Sequence, residues 1–215
     1  MARRTSRVAL VSWLMSLALI VSVAPAARAV SFSEVGDAPE LAGQAAGTLP
    51  ALTRITGNIG SGTDADMFII TLATGGLFSA TTLGTGGSLV DTQLFLFNSS
   101  GHGLLANDDS GGTLRSTLPP TALAAGNYLL AISAWDRDPV SAGGLIFPTS
   151  PFSNVFGPTG PGGAGAITGW DGSGGTGDYA IDLELQPVPE PATLFLFGSA
   201  LAGIGMARRR FRKQS

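Results

Sequence analysis

The chain contains no cysteine. That absence excludes a disulfide scaffold, a thiolate metal site and a thiol nucleophile, so stability must come from a hydrophobic core, helped at most by a bound cation. Histidine occurs once, at His102 in the turn-like stretch Asn98-Ser-Ser-Gly-His-Gly103, which with no cysteine argues against zinc. Basic residues are also scarce in the body of the chain. Nine of the twelve lie in the terminal segments, and residues 30–190 keep only Arg54, Arg115 and Arg137 against all fifteen carboxylates, a formal charge of −12. Such a body is repelled by nucleic acid and by anionic membrane surfaces, and it suits cations or a soluble life outside the cell.

Both ends carry apolar segments. Arg3, Arg4 and Arg7 precede an apolar run from Val8 to Val23, and Ala27-Arg28-Ala29 supplies a small-x-small cleavage site. This reads as a secretory signal peptide over residues 1–29, cut by signal peptidase after Ala29; a retained N-terminal anchor is the alternative. At the other end, Ala192 to Ala207 are sixteen residues without charge. As a helix they would span roughly 24 Å, short of a ~30 Å hydrocarbon core. Arg208, Arg209, Arg210, Arg212 and Lys213 would hold the far end in the cytoplasm, so the segment predicts a transient inner-membrane stop with the body outside. Ser199, Gly203 and Ala207 form a small-residue ridge on such a helix.

The layout of residues 188–215, with Pro189-Glu190-Pro191, a short apolar helix and a basic cluster, resembles the PEP-CTERM sorting signal of exopolysaccharide-producing Gram-negative bacteria. The resemblance implies processing by the membrane transpeptidase exosortase and delivery to the cell envelope, outer surface or extracellular matrix.

Residues 30–187 lack any long stretch of helical period. Tyr179, Ile181, Leu183 and Leu185 alternate with Asp178, Ala180, Asp182 and Glu184, a strand of period two. Tyr128, Leu130, Ile132 and Ala134 mark a second strand, while residues 67–72 (MFIITL) and 92–97 (TQLFLF) are apolar on both faces and read as central strands. Residues 52–59 and 77–82 are weaker candidates. Seven to nine short strands separated by Gly, Asn, Asp and Ser clusters predict an all-β, antiparallel, jelly-roll-like sandwich. Residues 136–177 break the rhythm with twelve glycines and five prolines. Phe147, Phe152, Val155 and Phe156 within them predict that part of this insertion packs back on the sandwich rather than serving as a spacer.

The order of DADMFIITL (64–72), DTQLFLFNSSGHGLLANDDSGG (91–112), ALAAGNYLLAISAWDRDP (122–139) and GDYAIDLEL (177–185) resembles the pre-peptidase C-terminal domain group, and within it the DVUA-type secreted proteins. That resemblance implies a jelly-roll-like binding or accessory module; the Gly/Pro-rich insertion departs from its minimal pattern.

No catalytic motif is present. Asp171-Gly-Ser-Gly-Gly175 lacks the first glycine of a nucleophile elbow, and Gly160-Pro-Gly-Gly-Ala-Gly165 lies neither after a strand nor before a helix, so it is no dinucleotide fingerprint. Calcium is the more natural chemistry for acidic loops, which supply the six to eight oxygens it takes. The candidate ligands are Asp64 with Asp66, and Asn107 with Asp108 and Asp109, joined by Asp91 if the loops converge. The same residues are ordinary turn formers. Trp135 and Trp170 flank the insertion and are candidates for stacking on sugar rings. The expectation is a non-enzymatic adhesive or structural matrix protein with exopolysaccharide or another matrix glycan as partner. A polysaccharide hydrolase would need a facing carboxylate pair, and an ice-binding surface would need a regular Thr-x-Thr ladder that TLATGG, TTLGTGG and TLRST do not make.

Overall fold

The computed structural model describes residues 30–43, 45–47 and 51–187, and it is all-β. The signal peptide with Ala27 and Ala29, and the tail with Pro189, Glu190, Pro191, Arg208, Arg209, Arg210, Arg212 and Lys213, lie outside the described residues. Among the described residues no helix is long and apolar enough to cross a membrane.

In chain order the strands are β1 (Ser31–Ser33), β2 (Ala46–Gly47), β3 (Arg54–Ile59), β4 (Ala65–Leu72) and β5 (Gly76–Thr81). They continue with β6 (Thr92–Asn98), β7 (Gly103–Asn107), β8 (Thr117–Leu123), β9 (Gly126–Ala134) and β10 (Arg137–Ser141). The last are β11 (Gly144–Leu145), β12 (Val155–Phe156), β13 (Gly169–Gly172) and β14 (Gly177–Pro187). A five-stranded sheet runs β1-β3-β14-β5-β8 and a six-stranded sheet β12-β7-β6-β9-β4-β2, with a small third sheet β11-β10-β13. Pairing is antiparallel except at β1–β3 and β2–β4.

The two large sheets form a sandwich because their alternating residues meet in one core. Tyr179, Ile181 and Leu183 of β14 and Ile55 and Ile59 of β3 face Leu94 and Leu96 of β6, Leu130 and Ile132 of β9, and Phe68 and Ile70 of β4. The opposite residues of the six-stranded sheet are apolar too, and they have their own partner. Met67, Phe95, Phe97, Leu129 and Ala131 pack under Ile146, Phe147 and Ile167 of the insertion. Phe147 lies 5.8 Å from both Phe95 and Phe97, ring to ring. Residues 136–177 therefore supply three short strands, β11 to β13, besides β10, together with the cover of a second core. Close turns make this possible: a Cβ at Gly162 would collide with the Gly144 carbonyl and the Ser141 hydroxyl, and one at Gly163 with the Pro158 carbonyl.

The sandwich has two distinct ends. Pro187, the last residue of β14, pairs with Gly76, Gly76 with Leu123, and Leu72 with Gly126, so the chain leaves the body at this end. At the opposite end a buried hydroxyl cluster joins the two sheets: Thr82 Oγ1 lies 2.7 Å from Thr92 Oγ1, which lies 2.8 Å from Ser116 Oγ. Every candidate ligand residue read from the sequence except Trp170 lies in the loops or strand ends around that second end.

Candidate functional site

Two groups of carboxylates gather at the end remote from Pro187. In the first, β1 runs parallel to β3 and delivers Glu34 and Asp37 beside Asp66, the second residue of β4. One oxygen of each lies within 4.8 Å of the others. Asp66 is fully buried, its Oδ2 accepts the Tyr179 hydroxyl at 2.6 Å, and its Oδ1 has no partner among the described residues. Burial, opposed by the Tyr179 hydrogen bond and reinforced by Glu34, Asp64 and Asp37, pushes the Asp66 carboxyl up to about 8. The Tyr179 hydroxyl is likewise held well above its usual range by burial and by Asp66. Among the described residues no lysine or arginine forms an ion pair with this group; Arg54 pairs with Asp182 and Arg137 with Glu40. A buried carboxyl oxygen with no donor, among like charges, fits a divalent cation, which would be held by Glu34, Asp37 and Asp66.

The second group lies where the loops around β6 to β10 meet. The β6–β7 hairpin and the β8 approach bring Asp91, Asp108 and Asp109 together, again with oxygens within 4.8 Å of one another. They line a cleft of about 210 Å³ with Leu114, Trp135 and Phe152. Backbone bonds fix the lining: Trp135 donates its amide to Asp91 at 3.3 Å, and Asp109 donates to the Phe152 carbonyl at 3.0 Å. The rings of Trp135 and Phe152 stand perpendicular at 6.1 Å. Asp108 Oδ1 is buried without a partner among the described residues, and burial, with Asp109 and Asp91 next to it, pushes that carboxyl up to about 7. Burial and Asp109 raise Asp91 as well.

The remaining sequence candidates stand apart from these groups. Asp64 Oδ2 accepts the Gly60 amide at 2.6 Å and closes the β3–β4 turn beside the first group. Asn107 is consumed by the backbone: its Oδ1 accepts from Thr117, and its Nδ2 donates to the carbonyls of Asp109 and Asn154. It shapes the second group's loop. Trp170 is turned inward, edge-on to Phe95 at 5.5 Å, with its indole N–H on the Glu40 carbonyl at 2.9 Å. It fastens the N-terminal segment to the second core. His102 is an exposed turn residue, its amide capped by Asn98 Oδ1.

Sequence reasoning missed Glu34, Asp37 and Phe152. Glu34 and Asp37 sit in a stretch resembling a linker, and only the parallel β1–β3 pairing shows their destination. Phe152 is apolar by sequence, but nothing local places it against Trp135.

Residues 187–210 match the family described as the PEP-CTERM protein-sorting motif. The match implies an exported protein sorted by exosortase to the cell surface or the extracellular space of a Gram-negative bacterium. No curated protein matches the chain. Among solved structures, the chain is similar to PliG of Salmonella Typhimurium, a periplasmic inhibitor of g-type lysozyme, at 13% identity over 65% of this chain and 97% of that one, with a TM-score of 0.28. So loose a likeness carries nothing about function. What is similar to a known family is the sorting motif, and it begins at Pro187, the last residue of β14.

Proposed function

We propose that the body is a non-enzymatic adhesive module of the envelope or exopolysaccharide matrix, organised by calcium at Glu34, Asp37 and Asp66. The observation that carries this reading is the division of labour between the two ends. The sorting motif begins at one end, while the other collects six carboxylates in two groups that have no basic ion-pair partner among the described residues. Calcium at the first group would satisfy Asp66 Oδ1 and tie the N-terminal segment to both sheets, because Asp66 belongs to one sheet and Tyr179 to the other. The resemblance to pre-peptidase C-terminal modules supports a binding or accessory role in a jelly-roll-like frame. Transient anchoring in the inner membrane by residues 192–207 belongs to the same reading.

Co-sedimentation of the exported protein with exopolysaccharide from a Gram-negative strain that carries exosortase tests it. Sedimentation in millimolar calcium that is lost in EDTA, and lost in the Asp66→Asn variant, is the expected result. Sedimentation in neither condition overturns the adhesive reading, and sedimentation in both removes calcium from it.

A further inference from the structure

Large apolar side chains are seldom left in the open around a charged centre, yet here three are. Leu114, Trp135 and Phe152 are 47%, 44% and 43% exposed, and all three line the cleft of Asp91, Asp108 and Asp109. Val90, 60% exposed, precedes Asp91 directly, and Leu83, 43% exposed, lies against Gly111 in the neighbouring loop. Five of the seven exposed large apolar residues among the described residues are thus gathered at one end, which marks an interaction surface.

We infer that the Trp135–Phe152 cleft is a docking site for a neutral, hydroxyl-rich saccharide chain, with a ring stacked on Trp135 and its hydroxyls donating to Asp91 and Asp109. This inference rests on the adhesive reading and names the ligand class at that end. Three features of the site select the occupant. Trp135 offers a flat apolar surface of the kind that covers the C–H face of a pyranose, with Leu114 and Phe152 as the walls. The polar lining is carboxylate, which accepts hydrogen bonds from hydroxyls, and the lining contains no lysine or arginine to receive an acidic sugar. An anionic polymer would also meet the field of a body carrying −12 over residues 30–190. Finally, the cleft lies at the end of the sandwich remote from Pro187, where the sorting motif begins.

Trp135 reports on its own occupancy. In the exported Trp170→Phe variant, with the signal segment removed, it is the sole indole of the body. The test titrates this protein with a panel of neutral hexose and pentose oligosaccharides and, separately, with oligogalacturonate in calcium, following indole emission. A saturable shift with a neutral member is expected. In otherwise wild-type protein, isothermal titration with that oligosaccharide should show affinity weakened about tenfold or more by Trp135→Ala and by Asp109→Asn. A circular dichroism spectrum like that of the parent shows that these variants fold. Failure of every neutral probe, or binding undiminished in Trp135→Ala, overturns the inference. Binding of oligogalacturonate alone, and only in calcium, also overturns it while leaving the adhesive reading in place. Loss of matrix co-sedimentation with oligosaccharide binding intact would do the reverse.

Discussion

The Tyr179 hydroxyl donates to Asp66 Oδ2 across the core at 2.6 Å, and the same hydroxyl lies 3.4 Å from Glu34 Oε2. One phenol thereby connects β14 of the five-stranded sheet, β4 of the six-stranded sheet and the segment after β1. Removing the hydroxyl in Tyr179→Phe takes away the donor on Asp66 Oδ2, so that neither carboxyl oxygen keeps a side-chain partner among the described residues. The expected cost is about 1–3 kcal/mol, read by denaturant unfolding in EDTA. An unchanged midpoint would mean that the hydrogen bond contributes nothing net.

Asp66 makes stability depend on pH in an unusual direction. Its folded carboxyl titrates at about 8, above the ordinary carboxylate range, so the folded state holds the proton more tightly than the unfolded chain. Its contribution is fully present below the unfolded pKa and is lost as pH rises through about 8. In EDTA the melting temperature should therefore fall between pH 5 and pH 8, and Asp66→Asn should flatten that slope. Calcium must displace the proton, so its stabilising shift should be larger at pH 8 than at pH 5. Equal shifts at the two values would remove Asp66 from the cation site.

Gly57 offers a test that substitutes no carboxylate. A Cβ there would collide with the Glu34 carboxylate and the Tyr179 hydroxyl. Gly57→Ala should diminish the calcium-induced rise in melting temperature, because both groups must be displaced. A calcium response equal to that of the parent would place the cation elsewhere.

Phe147 tests the insertion as a structural layer. It is 3% exposed and packs on Phe95 and Phe97, so Phe147→Ala should cost about 3–5 kcal/mol by denaturant unfolding. Limited proteolysis should then cut within residues 142–168 before it cuts the sandwich. Resistance equal to that of the parent would show that the insertion is held by other contacts.

The strands were legible in the sequence wherever one physical rule acted alone. Period two over Tyr179–Leu185 became β14, and the doubly apolar TQLFLF became β6, the strand between β7 and β9. Its second apolar face needed a cover, and the Gly/Pro-rich stretch that looked least regular provides it. The edge strand β8 was harder to see, because Pro119 and Pro120 break the pattern of a strand. They are tolerated where only one side of the strand must pair, and β8 pairs only with β5. By sequence Asp91 joins the acidic clusters only if the loops converge; the structure brings it to Asp108 and Asp109 but not into the group of Asp66. Asn107 could not be separated from its neighbours by sequence, since only backbone geometry decides whether an amide serves the chain or a ligand. Nor could Trp135, just before the insertion, be told from Trp170 within it: one indole N–H meets a carbonyl inside and the other ring stays at the rim.

The central place of β14 also gives the module a mechanical character. Asp182 is paired on both sides, with Arg54 and Thr81; the β3 ladder runs back from it to Gly177 and the β5 ladder on to Pro187. A pull between a ligand held at the carboxylate end and the chain beyond Pro187 runs nearly along this strand. Cross-strand hydrogen bonds lie perpendicular to it, so the tension shears both ladders together instead of opening one pair after another. Peeling would require the force to act from an edge, and the chain leaves from the middle of the sheet. A tether built this way yields abruptly and late, as the proposed adhesive role would require of it.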